Sequence, residues 1–567
     1  MTLGFPNPNA AADWKATSAG ADRRRPSPVL ARNGMVASAH PLVSATGLAT
    51  LQAGGNAADA AIAAALVGGV VLPAMCGLGG DLFAVVHGPV RGGRPETLAF
   101  QGSGVGPRGS LEEMCERGET TAHGTRVMQQ FGPLSPAVPG FVDGCFALLE
   151  RYGSRDFAEL AKPAVRLARD GAPVSPLLAR WTVETEARIA PWPTTAAIFL
   201  PGGKPPRAGE MLRQSDLARS LELIAAKGGD VFYRGELAER MTASLNALGG
   251  ALHPDDFAAH ATDVSAPVAT TYRGHTIYET ALPTQGFVVN ETLNIVEHAD
   301  LAAVGPASAA GVHFLAEALG RAFADRNAYA GDPRKGDIPL DTLLSKAWAA
   351  EQWRTIDPAV AAADHVPGRI APGDTTSLCV VDGDGMMVSL IFSLSEWFGS
   401  GVVAGDTGIL MNNRAGHCFS LLEGSPNVFA PGKRPMHTLN CYLVADPAGT
   451  PVLVGGTPGG DFQPQWNAQV LSYLIDAGLD AQAAVEAPRW QVWPATYPAQ
   501  IGQPLQLLVE DRLGDDTIDA LARMGHAVGR VGPWGAGGSV QVIARDPESG
   551  VLCAGSDPRS EGLAIGF

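Results

Sequence analysis

No CxxC pair and no Cys/His run with metal-ligand spacing occurs in these 567 residues, which argues against a zinc module or a disulfide framework. The seven cysteines, Cys76, Cys115, Cys145, Cys379, Cys418, Cys441 and Cys553, are scattered and odd in number. They read as reduced thiols of a cytoplasmic protein, with Cys76 and Cys379 as small core residues inside apolar strings. No Lys/Arg cluster with interleaved aromatics is present, and 57 acidic against 41 basic residues leave a net charge of −16, so nucleic acid is not an expected partner. Residues 1–27 carry Arg23-Arg24-Arg25 but no apolar stretch after it, so no secretory leader is expected. The uncharged run Ala60–Met75 contains Gly68-Gly69 and Pro73 and falls short of a membrane span; a buried helix with an exit strand is expected there. Low-complexity linkers and internal repeats are also missing. No cofactor and no metal are expected.

What is present is an ordinary globular balance, 46% hydrophobic and 17% charged, with ample material for a large core. Length alone suggests about three or four domains. Residues 1–32 read as a disordered tail. From Asn33 onward helical and strand signals alternate. Asn56 before Ala57-Ala58-Asp59-Ala60-Ala61-Ile62 reads as a capped, Ala-rich helix. Phe141–Tyr152, Ala161–Asp170, Leu217–Ala226, Ala309–Ala330 and Trp466–Ala477 carry helical spacing, and Val268–Tyr278 reads as a hairpin turning at Gly274. Strands are expected at Thr375–Val381, Met386–Leu394, Tyr442–Val444, Val452–Gly455, Leu505–Val509 and Val540–Ala544. Several are apolar on both faces, which implies sheets covered by helices.

The segment Gly373-Asp374-Thr375-Thr376-Ser377-Leu378-Cys379-Val380-Val381-Asp382 holds the most chemistry. Asp382-Gly383-Asp384-Gly385 lies between two apolar runs, a hairpin signal. A three-residue loop ending at Gly385 pairs Asp382 with Met386 and sets Thr375 opposite Ser393; a two-residue loop shifts this by one. Directly opposite residues have Cβ atoms about 5 Å apart, and Ser395 faces the same way two residues on. A threonine hydroxyl is a poor nucleophile until a base takes its proton. If the bond before Thr375 is cut, the freed α-amine, with a pKa of about 8, can be that base on the same residue. The same pattern also suits ordinary strand threonines and serines.

Asp374-Thr375-Thr376-Ser377, Phe398-Gly399-Ser400-Gly401 and Ala404-Gly405-Asp406-Thr407-Gly408-Ile409-Leu410-Met411-Asn412-Asn413 resemble the γ-glutamyltranspeptidase family. Gly34-Met35-Val36-Ala37, Gly54-Gly55-Asn56-Ala57, Gly77-Leu78-Gly79-Gly80, Leu167-Ala168-Arg169-Asp170-Gly171, Lys433-Arg434-Pro435, Pro458-Gly459-Gly460 and Asp557-Pro558-Arg559-Ser560 are similar to its other motifs, in order, from about Asn33 to the C-terminus. The resemblance implies an α+β fold of the N-terminal nucleophile hydrolase type, a four-layer αββα sandwich. It implies self-cleavage between Asp374 and Thr375 into a large subunit, 33–374 beyond the tail, and a small subunit, 375–567, which remain one globular unit. It makes Thr375 the nucleophile and its α-amine the base. Ser393 stands where a threonine hydrogen-bonds the nucleophile, and Gly459 and Gly460 match the backbone N–H pair that holds the oxyanion.

The glutamyl-reading positions depart from the family. Gln101 stands where an arginine binds the α-carboxylate, and His437 and Thr438 where two serines assist it. Ser395 replaces an asparagine of the pocket. Arg414-Ala415-Gly416-His417-Cys418-Phe419-Ser420 has no aspartate for the α-amine. The gain of Arg414, His417 and His437 suggests an anionic acyl group without an amine. Only Phe429-Ala430-Pro431-Gly432 separates Asn427-Val428 from Lys433-Arg434, so the lid loop of some members is expected to be absent. The expected function is a self-processing amidohydrolase for a small-molecule amide with an acidic, non-glutamyl acyl group, as in the oxamate amidohydrolase and β-lactam acylase branches. Alternatives are a γ-glutamyl transpeptidase or glutathione hydrolase with altered contacts, a non-catalytic member, and a dinucleotide binder at Gly77-Leu78-Gly79-Gly80, whose glycines lack the full GxGxxG spacing. No membrane association is expected, and a higher oligomer stays open.

Overall fold

The computed structural model describes residues 2–5, 27–91, 93–362, 374–494 and 504–567. In chain order the main strands are β1 (Val29–Ala31), β2 (Gly34–Ser38), β3 (Asp81–Pro89), β4 (Pro95–Gly102), β5 (Asp263–Ser265), β6 (Val268–Tyr272), β7 (His275–Glu279), β8 (Asp374–Asp382), β9 (Met387–Ser395), β10 (Cys441–Ala445), β11 (Pro451–Gly456), β12 (Gln541–Arg545), β13 (Leu552–Ser556) and β14 (Leu563–Gly566). They form two seven-stranded sheets, β14-β2-β8-β9-β3-β4-β5 and β1-β13-β12-β11-β10-β7-β6, with every neighbouring pair antiparallel. The helices that bear on the site are α1 (Pro41–Gln52), α2 (Ala57–Val71), α3 (Gly286–Val296), α4 (Ala309–Tyr329), α5 (Arg414–Cys418), α6 (Phe462–Ile475) and α7 (Asp515–Arg523).

The period of two in each strand explains the layering. Met35, Ala37, Phe83, Val85, Cys379, Val381, Met387 and Ile391 of the first sheet share one core with Cys441, Leu443, Val454, Ile543 and Ala554 of the second. Their neighbours Val36, Ala84, Val86, Leu378, Val380, Val388 and Leu390 turn the other way and pack with α1 and α2. On the second sheet Tyr442, Val444, Leu453, Val542 and Ala544 pack with α3, α4 and α6. Strands buried on both faces need apolar residues at every position, each fully buried Val, Leu or Ile contributing about 1.5–3 kcal/mol before entropy is counted.

Asn56 and Asp59 cap α2 reciprocally, each side chain accepting the other's backbone N–H at 3.0 Å. The exit strand expected before Met75 does not form. Pro73 ends the helix and keeps Leu72 out of the helical region, at φ −122° and ψ 48°. The turn that follows carries Gly79 and Gly80, where a Cβ would lie 2.1 Å from the Leu410 carbonyl oxygen and 2.3 Å from that of Ser393. These glycines therefore serve close backbone packing within the protein.

The fold begins earlier than the expected tail boundary at residue 32. Residue 1 and residues 6–26 lie outside the described residues, but Val29–Ala31 pair with β13, and Leu3 and Phe5 pack on the outer cluster of the second sheet. The edge of β13 otherwise presents unpaired backbone groups, and β1 covers it. Among the described residues no helix is long and apolar enough to cross a membrane, and all seven cysteines are free thiols.

The β8–β9 hairpin has the three-residue loop, with Asp382 N–H donating to the Met386 carbonyl at 3.2 Å and Gly385 at φ +91°. The register holds from Val381↔Met387 to Thr376↔Phe392 and then shifts, with Asp374 opposite Ser395. Ser393 and Leu394 thus lie together against Thr375, a bulge at the sheet's rim of the kind that re-aims a side chain.

Candidate active site

The start of β8, the end of β9 and the start of β3 share one rim of the first sheet; the start of β10 and the end of β11 face them from the second. Thr375 lies between the two rims and is 1% exposed. Its hydroxyl donates to Ser393 Oγ at 3.2 Å and accepts from Gln463 Nε2 at 3.3 Å. Gln463 cannot flip without loss, because its Oε1 accepts the Asn440 backbone N–H at 3.0 Å. Ser393 Oγ also accepts the Ser395 N–H at 2.8 Å. The threonine oxygen is therefore held between a fixed donor and a fixed acceptor, the preorganisation that a nucleophile requires.

Gly459 and Gly460 follow β11 and lead into α6. Their φ angles are +135° and +55°, and a Cβ on Gly459 would sit 2.3 Å from the Trp466 ring. Gln285 Nε2 donates to the Gly460 carbonyl at 2.9 Å and to the Thr438 carbonyl at 2.6 Å, tying these two loops together. Among the described residues neither glycine N–H has a protein acceptor. Such a pair can stabilise an oxyanion, an interaction worth about 2.7–4 kcal/mol per donor.

Below the threonine lies a buried ionic floor. Asp81 stands directly opposite Ser393 in the β3–β9 ladder. Arg414 Nε donates to Asp81 Oδ2 at 3.1 Å, and both side chains are fully buried. His437 Nδ1 is 3.8 Å from the same oxygen, and its ring tilts against Phe83 at 4.8 Å. Among the described residues, Asp81 Oδ1 and both ring nitrogens of His437 have no hydrogen-bond partner. Burial pushes the Asp81 carboxyl up to about 6 against the opposing pull of Arg414 and Arg434. Burial, then Arg414 and Arg434, hold His437 well below the ordinary imidazole range, so it is neutral.

A second chain runs alongside. Ser395, at φ +86°, places Oγ 2.9 Å from His417 Nδ1, and His417 Nε2 is 3.2 Å from Glu396 Oε1. Burial and the nearby Arg414 and Arg188 push His417 well below its usual value. With Glu396 ionised, the neutral ring donates from Nε2 and accepts the Ser395 hydroxyl at Nδ1. Burial raises Glu396 to about 7, opposed by Arg188 and Arg414. Arg188 lies 3.7 Å from its other oxygen.

A family model described as Gamma-glutamyltranspeptidase matches residues 43–567. The chain belongs to the γ-glutamyltranspeptidase family. Within that family it is 38% identical over 544 residues to the "Glutathione hydrolase-like YwrD proenzyme" of Bacillus subtilis, covering 95% of this chain and 99% of the relative. It is 36% identical over 547 residues to the "Oxamate amidohydrolase proenzyme" of Klebsiella pneumoniae, covering 94% and 98%. Among solved structures it is similar to a cephalosporin acylase from Bacillus halodurans, with a TM-score of 0.87, 35% identity and 96% and 98% coverage.

For a γ-glutamyltranspeptidase-family chain, the sequence located most of the constellation. Thr375, Ser393, Ser395, Gly459, Gly460, Arg414, His417 and His437 converge, and Thr438 contributes through its carbonyl. Arg414 differs from expectation: it is not a free cation facing an anion, because Asp81 already pairs with it. Gln101 stands apart from the hydrogen-bonded group. It lies in β4, donates to Ser265 Oγ at 3.3 Å and lines a cleft of about 600 Å³ with Asp263, Ser265 and Leu282. The Asn412-Asn413 pair braces the site rather than lining it. Asn412 donates to the Gly79 carbonyl at 2.8 Å, and Asn413 Oδ1 accepts the Glu396 N–H at 3.1 Å. Asp81, Glu396, Gln463, Asn440 and Gln285 were not singled out from the sequence. An acid directly after Gly79-Gly80 was the available signal for Asp81; Gln463 was missed because α6 starts at Phe462, a turn before the helical spacing at Trp466.

Gln463→Glu tests the donor to Thr375. The carboxylate keeps the Asn440 contact but offers an acceptor to the hydroxyl. Loss of one such bond, at about 0.5–1.5 kcal/mol, is expected to lower kcat up to about tenfold; because Gln463 is fully buried, the added carboxyl is also expected to lower the urea midpoint.

Proposed function

We propose that this chain is a self-processing N-terminal threonine amidohydrolase with αββα layering, acting on an amide whose acyl group is acidic and lacks the α-amine of glutamate. The observation that carries this reading is the Thr375 hydroxyl held between Ser393 and Gln463, beside a glycine pair whose N–H groups have no acceptor among the described residues, in a member of this family. In processing, Thr375 Oγ attacks the Asp374 carbonyl carbon and the Asp374–Thr375 C–N bond breaks, which frees the Thr375 α-amine and leaves an ester at Oγ; water then hydrolyses that ester to the Asp374 carboxylate and the Thr375 hydroxyl. In turnover, Oγ attacks the substrate carbonyl while the α-amine takes the hydroxyl proton and passes it to the leaving nitrogen. Water then cleaves the acyl ester and restores the hydroxyl. Gly459 and Gly460 hold the oxyanion in both half-reactions, and Ser393 orients the nucleophile.

The acyl preference follows from the floor. No acid stands at Arg414–Cys418 to meet an ammonium. Asp81 and Glu396, held at about 6 and about 7, release their hold on Arg414 and Arg188 by taking protons. An incoming carboxylate raises both pKa values further, so its binding takes up protons. KM for an acidic acyl amide is therefore expected to fall as pH drops from about 8 through 7 to 6, while KM for its uncharged methyl ester stays flat; initial-rate kinetics across that range checks it.

A chromogenic glutaryl anilide differs from the γ-glutamyl anilide only by the missing α-amine. The glutaryl compound is expected to give at least a tenfold higher kcat/KM, a difference of about 1.4 kcal/mol. Preference for the γ-glutamyl compound would instead support a glutathione hydrolase with rewired contacts, the reading that the similarity to the Bacillus subtilis relative favours.

A further inference from the structure

We propose that His313, Glu317 and His526 form a binding site for a divalent transition metal ion of the zinc class, separate from the Thr375 constellation. His313 and Glu317 are four residues apart on α4 and so share one face. His526 follows α7 and reaches the same point. One ligand atom from each of the three residues lies within 4.8 Å of the other two. His313 Nδ1 is 3.0 Å from His526 Nε2, and His313 Nε2 is 2.8 Å from the Asp357 carbonyl oxygen.

That carbonyl decides the tautomer. It can only accept, so Nε2 of His313 carries the hydrogen and Nδ1 keeps its lone pair toward His526 and Glu317. A backbone carbonyl on the far nitrogen is the usual way a metal-ligating imidazole is oriented. Bonds of about 2.0–2.1 Å in tetrahedral geometry put two ligating nitrogens about 3.4 Å apart, so the pair opens by a few tenths of an ångström to admit the ion. Glu317 accepts from Arg321 NH1 at 3.0 Å and from the Ala362 N–H at 3.2 Å. A carboxylate offers about four lone-pair sites, so these two contacts leave room for it to ligate as well. Two imidazoles and one carboxylate suit zinc, cobalt or nickel better than magnesium or calcium.

His313 and Glu317 are buried, whereas His526 is half-buried. Glu317 and His526 border a cavity of about 370 Å³ that Gln465 and Gln506 also line. A fourth coordination position facing that cavity would take water or a small ligand. The ion would cross-link α4 to the turn after α7.

The test uses the full chain, stripped with chelator and titrated with Zn²⁺ and with Co²⁺. One equivalent is expected to bind by calorimetry, and Co²⁺ is expected to give the visible absorption of a four-coordinate site. His526→Ala, at the half-buried position, and Glu317→Gln are each expected to weaken binding at least about tenfold, with circular dichroism unchanged in His526→Ala. Absence of a bound equivalent would overturn the proposal and leave a histidine pair sharing one proton. Unchanged affinity in His526→Ala would overturn it too, by placing the ion on other residues. Neither outcome touches the reading of Thr375.

Discussion

Thr375→Ala is expected to remain a single 567-residue chain on a denaturing gel, whereas the native protein is expected to separate into two pieces, the smaller beginning at Thr375. The same substitution removes the attacking oxygen, and amidase activity is expected to fall by about 10⁴-fold or more, as for other single nucleophile deletions. The side chain is small, and among the described residues its hydroxyl hydrogen-bonds Ser393 and Gln463 alone, so the alanine protein should fold. Thr375→Ser separates chemistry from shape: it keeps the hydroxyl and should still be cut, more slowly. An intact alanine protein with native turnover would remove the threonine from the reaction altogether. N-terminal sequencing of the smaller piece settles the position of the cut independently of any substrate.

Breaking the ion pair under Thr375 is the second large effect. Asp81→Asn removes the carboxylate that Arg414 Nε donates to, while Arg414 stays fully buried. Loss of one partner of a buried pair costs about 3–5 kcal/mol, to be read from urea unfolding. Replacing both partners, Asp81→Leu with Arg414→Met, is expected to recover most of that stability, because two desolvated charges are exchanged for apolar packing. Activity is not expected to return with it, since the floor has then lost the groups that respond to an acyl carboxylate. A single variant within about 1 kcal/mol of the native protein would mean that Arg414 draws its compensation elsewhere.

The constellation was legible in the sequence to the extent that it is local. The Thr375–Ser393 contact follows from the three-residue turn and a period of two, and both survive folding because strands buried on both faces admit no slip. Gly459 and Gly460 were legible through the resemblance of Pro458-Gly459-Gly460 to a family motif; the structure adds that a Cβ on Gly459 would sit 2.3 Å from the Trp466 ring. The bulge at Thr375 was not legible, since it comes from Ser393 and Leu394 sharing the space opposite one residue at the sheet's rim.

What the sequence by itself determined is the family, the two kinds of apolar periodicity and the hairpin that begins at Thr375. The tertiary structure alone decided the charge balance beneath it. Asp81 and Arg414 are 333 positions apart, and Gln463 reaches Thr375 across 88. No periodicity spans such separations. Only the packing of two sheets brings them together, and in that low-dielectric space a nearby carboxylate turns an arginine expected to meet substrate into one already paired.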